Sequence, residues 1–308
     1  MHKGKVVAEK DKYKVIDCEI CGFKHLDPIP TEERIKKFYK NKYFDLVKKG
    51  GRAPEIRRLM KGGKESKAEL KWLESTLYND INTILGKHLS RGSRNLCDIG
   101  CGTGNFLKYM KKKGWEGIGI EPSQEGARRS EDSELTIYNL SLEEFINAYP
   151  ESINTFDAVT LLNVLEHVPY PINFLQNVKR LLKPRTGMIC IRVPNDFNML
   201  QIYVQKKLNK EAWWIAVPDH INYFNLEALK KLLISLGFNI VYATADFPME
   251  IFLLMGDDYI GNHKIGNICH RKRVNFELLM PESLRREIYQ SLAKIGIGRD
   301  SIVFARSK

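Results

Sequence analysis

The stretch CDIGCGTGNF, residues 97–106, decides the fold. Three glycines, Gly100, Gly102 and Gly104, alternate with other residues directly behind Asp98. The apolar run before them predicts a buried strand, and the residues after them have the apolar spacing of a helix. Glycines between a strand and a helix let the backbone approach a bound ligand closely. The stretch therefore predicts a ligand-binding turn at the edge of an α/β sheet.

Two common nucleotide-binding motifs do not fit this spacing. A phosphate-binding P-loop requires Lys and then Ser or Thr after its glycines, whereas Asn105 and Phe106 follow here. The dinucleotide motif requires glycine at its first, third and sixth positions, and the sixth position counted from Gly100 is Asn105. The sequence therefore argues against a bound triphosphate and against a bound dinucleotide.

Short apolar runs alternate with helical periods from about residue 94 onward, which indicates a parallel sheet covered by helices. A single long amphipathic helix, with its apolar side running from Leu70 to Leu85, is predicted before the first strand. We predict seven strands. Their ranges in chain order are 95–100, 115–121, 135–138, 156–162, 188–193, 238–244 and 301–306.

These elements suggest a division of the chain near residue 92. Residues 1–92 are predicted to form an N-terminal cap, and residues 93–308 the domain that contains the sheet. Two stretches of the second part, 196–224 and 246–298, lie between predicted strands and are read as insertions.

An acidic residue, Glu121, closes the predicted second strand after the motif Asp-x-Gly-x-Gly-x-Gly. This combination resembles motif I and the acidic position that follows it in class I S-adenosylmethionine-dependent methyltransferases. A carboxylate can accept hydrogen bonds from both hydroxyls of a ribose, and Asp98 lies where a carboxylate could meet a cationic amino-acid moiety. The segments FDAVTLLNVLEHV and LLKPRTGMICIRVPN are similar to the fourth- and fifth-strand regions of the same family.

The resemblance implies a Rossmann-like, mostly parallel seven-stranded sheet in the order 3-2-1-4-5-7-6, with an N-terminal helical cap. It implies S-adenosylmethionine as the cofactor, with positions for adenine and for the methionine end of the molecule. The residues implied to bind the cofactor are Asp98, Gly100, Cys101, Gly102, Gly104, Glu121, Ser141, Leu142, Leu162 and Asn163.

A narrower resemblance is carried by PDHINYFNLEALKKLLISLGFNIV and by the N-terminal CEICGFKHLDPIPTEERIKKFYKNKYFD. Both are similar to a branch that modifies sugars and other small molecules in polysaccharide and natural-product assembly, and whose members often begin with a small zinc-binding knuckle. Tetrahedral zinc requires four ligands, and only Cys18, Cys21 and His25 are candidates here. We therefore predict no metal site, and a metal-free remnant of the knuckle that packs as ordinary structure, with bound zinc as the alternative.

Two histidines are candidates for the base that removes a proton from an alcohol acceptor. His167 follows the fourth strand, at the edge of the sheet where open α/β folds bind ligands. His220 lies in the first insertion, with Asp219 placed to orient its imidazole. Each histidine could instead have a purely structural role, and the sequence does not choose between them. Cys101 occupies a position that needs a small residue, so we predict no nucleophilic role for its thiol.

Four aromatic residues lie near His220 in the sequence. They could stack on an acceptor, but buried packing is the commoner role of such residues, and we favour it. They are Trp213, Trp214, Tyr223 and Phe224.

Charge is concentrated near the N-terminus, because +9 of the net charge of +12 falls on residues 1–92. Residues 48–67 carry eight basic and two acidic residues among four glycines, which predicts a mobile lid or linker. This segment contains no aromatic residue, which argues against RNA binding. A solvated surface is one interpretation, and contact with the phosphates of a nucleotide-linked sugar is another. The basic residues that would make that contact are Arg52, Arg57, Arg58 and Lys61.

The predicted function is O-methylation of a sugar, a nucleotide-linked sugar or a related small molecule. A methyltransferase acting on RNA or another macromolecule is one alternative, and a non-catalytic regulator that binds S-adenosylmethionine is another. The expected partner is a small-molecule acceptor, not nucleic acid or a membrane. With no long apolar run, no apolar signal core and six scattered cysteines, we expect a soluble, cytoplasmic protein with reduced thiols.

Overall fold

The computed structural model describes residues 2–38, 47, 54–124 and 134–308. Strands of this part of the chain form two sheets, one of four strands and one of seven. The strands are β1 (Gly4–Lys10), β2 (Tyr13–Cys18), β3 (Lys24–Asp27), β4 (Asn95–Ile99), β5 (Glu116–Ile120), β6 (Thr136–Tyr138), β7 (Ala158–Leu162), β8 (Met188–Pro194), β9 (Asn222–Tyr223), β10 (Phe238–Ala245) and β11 (Asp300–Ser307).

The large sheet has the order β6-β5-β4-β7-β8-β11-β10. Strands β4 to β8 pair in parallel with one another, and β11 runs antiparallel to both β8 and β10. Numbered along the chain within this sheet, the strands follow 3-2-1-4-5-7-6, which confirms the predicted Rossmann-like fold. The carboxyl ends of the parallel strands meet at one edge, where sheets of this kind bind ligands.

Helices cover both faces of the large sheet. On one face, Phe145, Leu175 and Leu229 are buried in a single apolar cluster, and on the other Trp72 and Met110 are buried in a second. The helices are α1 (Glu32–Phe38), α2 (Pro54–Met60), α3 (Gly63–Ser75), α4 (Leu77–His88), α5 (Asn105–Lys112), α6 (Leu142–Ala148), α7 (Pro171–Leu181), α8 (Met199–Lys207), α9 (Leu226–Ser235), α10 (Glu250–Leu254), α11 (His263–Leu279) and α12 (Glu282–Lys294).

The long helix predicted before the sheet is divided into α3 and α4 at Thr76, whose φ of −121° and ψ of −95° lie outside the helical region. The Thr76 hydroxyl donates to the Trp72 carbonyl at 2.7 Å, and its N–H donates to the Leu73 carbonyl instead. A side chain that takes a backbone carbonyl in this way competes with the helical ladder. Apolar periodicity continues through the break because both helices pack on the same face of the sheet.

The small sheet is the part of the fold that the sequence analysis did not predict. Strands β1, β2 and β3 form antiparallel pairs, and β9 from the first insertion pairs with the free edge of β3. Where β3 pairs with β9, Lys24 lies opposite Tyr223, and His25 lies opposite Asn222. The insertion after β8 is therefore joined to the N-terminal segment by a strand of only two residues.

The basic segment at 48–67 is more ordered than its composition indicates. Its described part forms α2 and the first turn of α3, and residues 48–53 lie outside the described residues. The second insertion is mainly helical, with α10, α11 and α12. None of the helices in the described ranges has both the length and the apolar character needed to cross a membrane.

Candidate functional site

Asp98 and Glu121, the two acidic residues that the sequence analysis identified, lie at the edge of the sheet where β4, β5 and β7 end. Asp98 is the penultimate residue of β4, opposite Gly119 of β5 and Thr160 of β7. Glu121 follows β5 directly, and its N–H donates to the Tyr138 carbonyl at the end of β6. We call this part of the molecule the cofactor edge, comprising residues 98–104, 121–123, 139–142 and 162–163.

Asp98 is almost completely buried, 2% exposed. The Thr160 hydroxyl donates to its Oδ1 at 2.6 Å. Burial raises the pKa of Asp98 to about 7, the Thr160 hydrogen bond acts against that rise, and the nearby charge of Glu121 adds to it. A cation that binds beside a buried carboxylate stabilises its ionised form. This fits the contact with a cationic amino-acid moiety that the family resemblance implies for Asp98.

Both oxygens of the Glu121 carboxylate receive a backbone hydrogen bond. The Gly102 N–H donates to Oε2 and the Ser123 N–H donates to Oε1, each at 2.8 Å. A carboxylate oxygen has two lone pairs, so each oxygen can accept one more hydrogen bond. The side chain is therefore fixed in orientation and can still accept from a pair of hydroxyl groups.

The glycine loop is shaped by contacts that a larger residue would not allow. Gly100 has a φ of 72°, and a Cβ there would lie 2.5 Å from the Val164 side chain. Gly102 presents open space, and Gly104, also at positive φ, is the N-cap of α5. The Cys101 thiol packs beside Gly119, and burial raises its pKa. A thiol held in its neutral form is a poor nucleophile, in agreement with the prediction for Cys101.

The remaining predicted cofactor residues lie at the ends of β6 and β7. Ser141 is the N-cap of α6, where its hydroxyl accepts from the Glu144 N–H and its own N–H donates to the Glu144 carboxylate. Leu142 is buried behind it, and Leu162 ends β7. Asn163 has a φ of 61° and follows Leu162. The structure thus places all ten predicted cofactor residues on the cofactor edge, and their contacts with the cofactor remain predictions.

Arg192, which the sequence analysis did not identify, ties this edge to the cap. Its guanidinium donates to the Asn163 side-chain oxygen at 2.8 Å and to Asp300 at 2.5 Å, and it lies 3.5 Å from Glu55 of α2. Arg192 is 6% exposed. Burial alone would raise the pKa of Glu55. The combined positive charge of Arg192 and neighbouring arginines outweighs burial and holds that pKa below its usual range. A charged residue in the apolar run MICIRV was the available signal, because a buried arginine needs acidic partners.

The two candidate histidines lie side by side. The rings of His167 and His220 are 4.9 Å apart between centroids and meet edge to face. His167 Nδ1 lies 2.8 Å from the Asp219 main-chain carbonyl. A carbonyl oxygen can only accept, so Nδ1 carries the proton and Nε2 has the lone pair. Asp219 therefore orients His167 through its main-chain carbonyl, and the predicted role of Asp219 in orienting the His220 imidazole stays a prediction.

Glu166 is a third member of this group. One of its oxygens lies 3.8 Å from His167 Nε2. A carboxylate oxygen of Glu166 and one ring nitrogen each of His167 and His220 all lie within 4.8 Å of one another, close enough to bind a metal ion together. Glu166 is 2% exposed, and its Oε2 has no hydrogen-bond partner among the described residues. Burial raises the Glu166 pKa, and the neighbouring His167 opposes that rise. The group combines an acid and two imidazoles beside the end of β7.

Hydrogen bonds hold residues 216–223, which we call the His220 segment, against the turn that contains His167. The Ile221 N–H donates to the Glu166 carbonyl at 2.7 Å. The side-chain amide of Asn222 donates to the main-chain carbonyls of Leu165 and Val168 at 3.0 and 2.7 Å. On its other side, the Ile221 carbonyl accepts from the Leu26 N–H of β3 at 2.8 Å. The small sheet and the turn after β7 therefore position His220 together.

The aromatic residues near His220 follow the predicted pattern of buried packing. Trp214, Tyr223 and Phe224 are all 9% exposed or less. Trp214 and Tyr223 belong to the apolar cluster of the small sheet, and Phe224 belongs to the main core. Trp213 is partly buried and packs edge to face on Trp214.

Two residues of the basic segment form ion pairs with acidic neighbours. Arg58 is 7% exposed and pairs with Glu69 at 2.8 Å, and Lys61 pairs with Glu65 at 3.0 Å. Arg52 lies outside the described residues, and Arg57 is partly buried on α2. Of the four basic residues considered for phosphate contact, two already have acidic partners.

A second group of possible metal ligands lies at one end of the small sheet. It contains Cys18, Cys21 and His25, the three candidates that the sequence identifies, together with His2. One ligand atom from each residue lies within 4.8 Å of the others. His2 was missed because sixteen residues separate it from Cys18, and only the pairing of β1 with β2 brings the two together.

Comparison with known sequences and structures identifies the fold family. The family described as a methyltransferase domain matches residues 70–243, more than half of the chain. The ubiquinone biosynthesis O-methyltransferase of Actinobacillus pleuropneumoniae is 36% identical over 98 residues, which cover 30% of this chain and 42% of that protein. The same enzyme of Vibrio cholerae is 28% identical over 110 residues, 34% of this chain and 44% of that protein. The chain thus spans less than half the length of these relatives.

Two solved methyltransferases share the fold at low sequence identity. An S-adenosylmethionine-dependent methyltransferase from Archaeoglobus fulgidus has a TM-score of 0.52 and 19% identity, over 87% of this chain and 100% of that one. The 1,6-didemethyltoxoflavin-N1-methyltransferase of Burkholderia thailandensis, solved with S-adenosylhomocysteine, has a TM-score of 0.50 and 12% identity, over 99% and 100%. With its motif, sheet order and family match, this chain belongs to the class I S-adenosylmethionine-dependent methyltransferases, and S-adenosylmethionine is its cofactor.

Proposed function

We propose that this enzyme methylates a hydroxyl oxygen of a small-molecule acceptor, with His167 as the general base. The observation that carries the proposal is the hydrogen bond from His167 Nδ1 to the Asp219 carbonyl, which leaves the lone pair on Nε2. His167 also follows β7 at the ligand-binding edge of the sheet. A base held in one tautomer and one orientation is prepared to take a proton from an acceptor hydroxyl.

The bound cofactor supplies a methyl group on a sulfonium. Transfer is an in-line displacement, so the residues of the cofactor edge and of the His220 segment act mainly by aligning the acceptor oxygen and excluding water. The acceptor hydroxyl gives its proton to His167 Nε2. Glu166, with an oxygen 3.8 Å from that nitrogen, stabilises the imidazolium that results.

The acceptor that we propose is a sugar or a related hydroxylated small molecule. Support comes from the resemblance of PDHINYFNLEALKKLLISLGFNIV to the sugar-modifying branch and from relatives whose names describe O-methyltransferases. A phosphate-bearing acceptor has weaker support, because Arg58 and Lys61 are engaged by Glu69 and Glu65. No described feature favours RNA over a small molecule.

The test compares His167→Gln and His220→Gln with His263→Gln, a control on an exposed histidine at the start of α11. Methyl transfer is measured with a panel of sugars, nucleoside diphosphate sugars and catechols, and S-adenosylhomocysteine binding is measured by calorimetry. His167→Gln should lower kcat by about 100-fold or more, the usual contribution of a general base, without changing cofactor affinity. His263→Gln should change neither quantity.

Near-normal turnover in His167→Gln would refute the assignment of the base, and a large loss in His220→Gln alone would transfer the role to that residue. If the parent protein binds S-adenosylhomocysteine but methylates no member of the panel, the proposed acceptor class is wrong and the regulator interpretation gains support.

A further inference from the structure

We propose that His2, Cys18, Cys21 and His25 bind a structural zinc ion that holds the small sheet together and, through it, positions the His220 segment. The site goes beyond the proposed function and does not depend on it. It replaces the expectation of a metal-free remnant, which was based on three candidate ligands.

Two separations between the donor atoms match those around a tetrahedral zinc ion, and all four donors lie within 4.8 Å of one another. His2 Nδ1 lies 3.6 Å from Cys18 Sγ and 3.3 Å from Cys21 Sγ. Around a zinc ion with its usual bond lengths to sulfur and nitrogen, neighbouring ligand atoms lie about 3.5 Å apart. The His2 and His25 rings are 4.5 Å apart between centroids and nearly perpendicular. The four donors thus lie close enough to one another to share a single metal ion.

The turn that carries the two cysteines has the hydrogen bonds of a metal knuckle. Cys18 ends β2, and the Cys21 N–H donates to Cys18 Sγ at 3.4 Å. Gly22 follows with a φ of 73°, and its N–H donates to the Cys18 carbonyl at 3.0 Å. Backbone N–H groups that point at sulfur stabilise a thiolate, which is the form of cysteine that binds metal. All six cysteines of the chain are free thiols, so this pair is not a disulfide.

His25 provides an independent indication of a ligand. Its side chain is 1% exposed, and Nδ1 lies 2.8 Å from the Leu26 carbonyl. The proton is therefore on Nδ1, and Nε2 has a lone pair but no hydrogen-bond partner among the described residues. A buried acceptor without a partner is costly unless something binds it. Donation of the other ring nitrogen to a carbonyl is the usual arrangement of a metal-bound histidine.

The ligand set selects the metal and its role. Two thiolates and two imidazoles in a tetrahedral arrangement suit zinc, and the two thiolate charges balance the charge of the ion. Four protein ligands leave no open position, so the metal is structural and takes no part in methyl transfer. His2 is exposed, which gives the ion a route into the site.

The site is coupled to the catalytic region through β3. His25 is on this strand, opposite Asn222 of β9, and the next residue, Leu26, donates its N–H to the Ile221 carbonyl. Ile221 in turn donates to the Glu166 carbonyl. Phe23, directly after the knuckle, packs against Phe224 with ring centroids 4.9 Å apart. A metal that fixes β2 to β3 therefore fixes the strand on which His220 depends.

The first test measures metal content in the full chain, produced with its own N-terminus and a C-terminal tag that contains no histidine. Mass spectrometry of the purified, zinc-reconstituted protein should find about one zinc ion per chain. Replacement by Co²⁺ should give the visible absorption bands of a tetrahedral site with thiolate ligands. A folded parent protein with no bound zinc and no such bands would overturn the proposal.

The second test compares single variants. His2→Gln changes an exposed residue with little risk to folding, and Cys21→Ser removes a sulfur ligand. Each should weaken zinc binding at least about tenfold in competition with a chromophoric chelator. His263→Gln and Cys101→Ser are the matched controls and should retain normal affinity. Unchanged zinc affinity in His2→Gln would overturn the four-ligand site even if the parent binds metal.

The third test separates the metal site from the proposed reaction. Removal of zinc should lower the Tm and should reduce methyl transfer more than S-adenosylhomocysteine affinity, because the small sheet holds the His220 segment and not the cofactor edge. If zinc removal reduced methyl transfer and S-adenosylhomocysteine affinity to the same extent, the coupling through β3 would be contradicted. Zinc stoichiometry is read without turnover, so failure of the proposed reaction would leave the metal result intact.

Discussion

The cofactor edge and the His220 segment both lie next to the carboxyl end of β7, but different interactions hold them in place. The cofactor edge extends from the central strands of a parallel sheet, and its acidic residues are oriented by neighbouring strands and backbone N–H groups. The His220 segment is an insertion held by a two-residue strand and a few hydrogen bonds. Cofactor binding should therefore tolerate changes in the insertion, while acceptor chemistry should be sensitive to them.

Arg192 ties the cofactor edge to the cap through Asn163 and Glu55, and we expect the largest effect from its loss. Arg192→Met would leave Asp300, Asp246 and Glu55 near one another without their central cation. Removing one partner of a buried ion pair costs about 3–5 kcal/mol, and we expect a loss of that size in the free energy of unfolding in urea. Arg185→Met, on an exposed turn, should change it by less than about 0.5 kcal/mol. Equal stability of both variants would show that the buried network contributes little.

Glu121→Gln should affect only the cofactor edge. The variant keeps the size of the side chain but removes its charge and one acceptor oxygen. A hydrogen bond to a charged group contributes about 1.5–3 kcal/mol, so S-adenosylhomocysteine should bind about 10- to 100-fold more weakly in calorimetry. Glu116→Gln, exposed at the opposite end of β5, is the control. Comparable affinity in the two variants would remove Glu121 from the cofactor site.

The charge on Asp98 should make cofactor binding depend on pH. The pKa of about 7 in the empty site means that the carboxyl is mostly protonated at pH 6 and mostly ionised at pH 8. If the ionised form meets the ammonium group, affinity for S-adenosylhomocysteine should rise about tenfold between these pH values. Asp98→Asn should bind weakly with no such dependence. An equally steep pH profile in Asp98→Asn would assign the titration to another group.

The raised pKa of Asp98 also makes the stability of the cofactor-free protein depend on pH, but in the opposite direction, because stability falls as the pH rises. A carboxyl whose pKa is raised by folding from 3.8 to about 7 keeps its proton longer in the folded state than in the unfolded state. Its contribution to stability is therefore complete below pH 3.8 and is lost as the pH rises through 7. Bound cofactor should reduce this loss by lowering the pKa.

The strand positions and the residues of the cofactor edge could be predicted because their signals are local, whereas the sheet order was what the resemblance to the methyltransferase family implied. Apolar runs of a few residues mark the strands, and Asp98, the glycines and Glu121 belong to a short segment with fixed spacing. The contact between His167 and His220, and the contact between His2 and the cysteines, depend on strand pairings that no local pattern encodes. The break at Thr76 was hidden because apolar periodicity continues on both sides of it.

The pairing of β3 with β9 has a consequence for synthesis of the chain. His25 and Asn222 are about 200 residues apart, so β1, β2 and β3 emerge from the ribosome long before β9. During that interval the free edge of β3 is available to pair with other chains, a known route to aggregation. Early capture of a metal by His2, Cys18, Cys21 and His25 would keep β1, β2 and β3 in register until β9 is made.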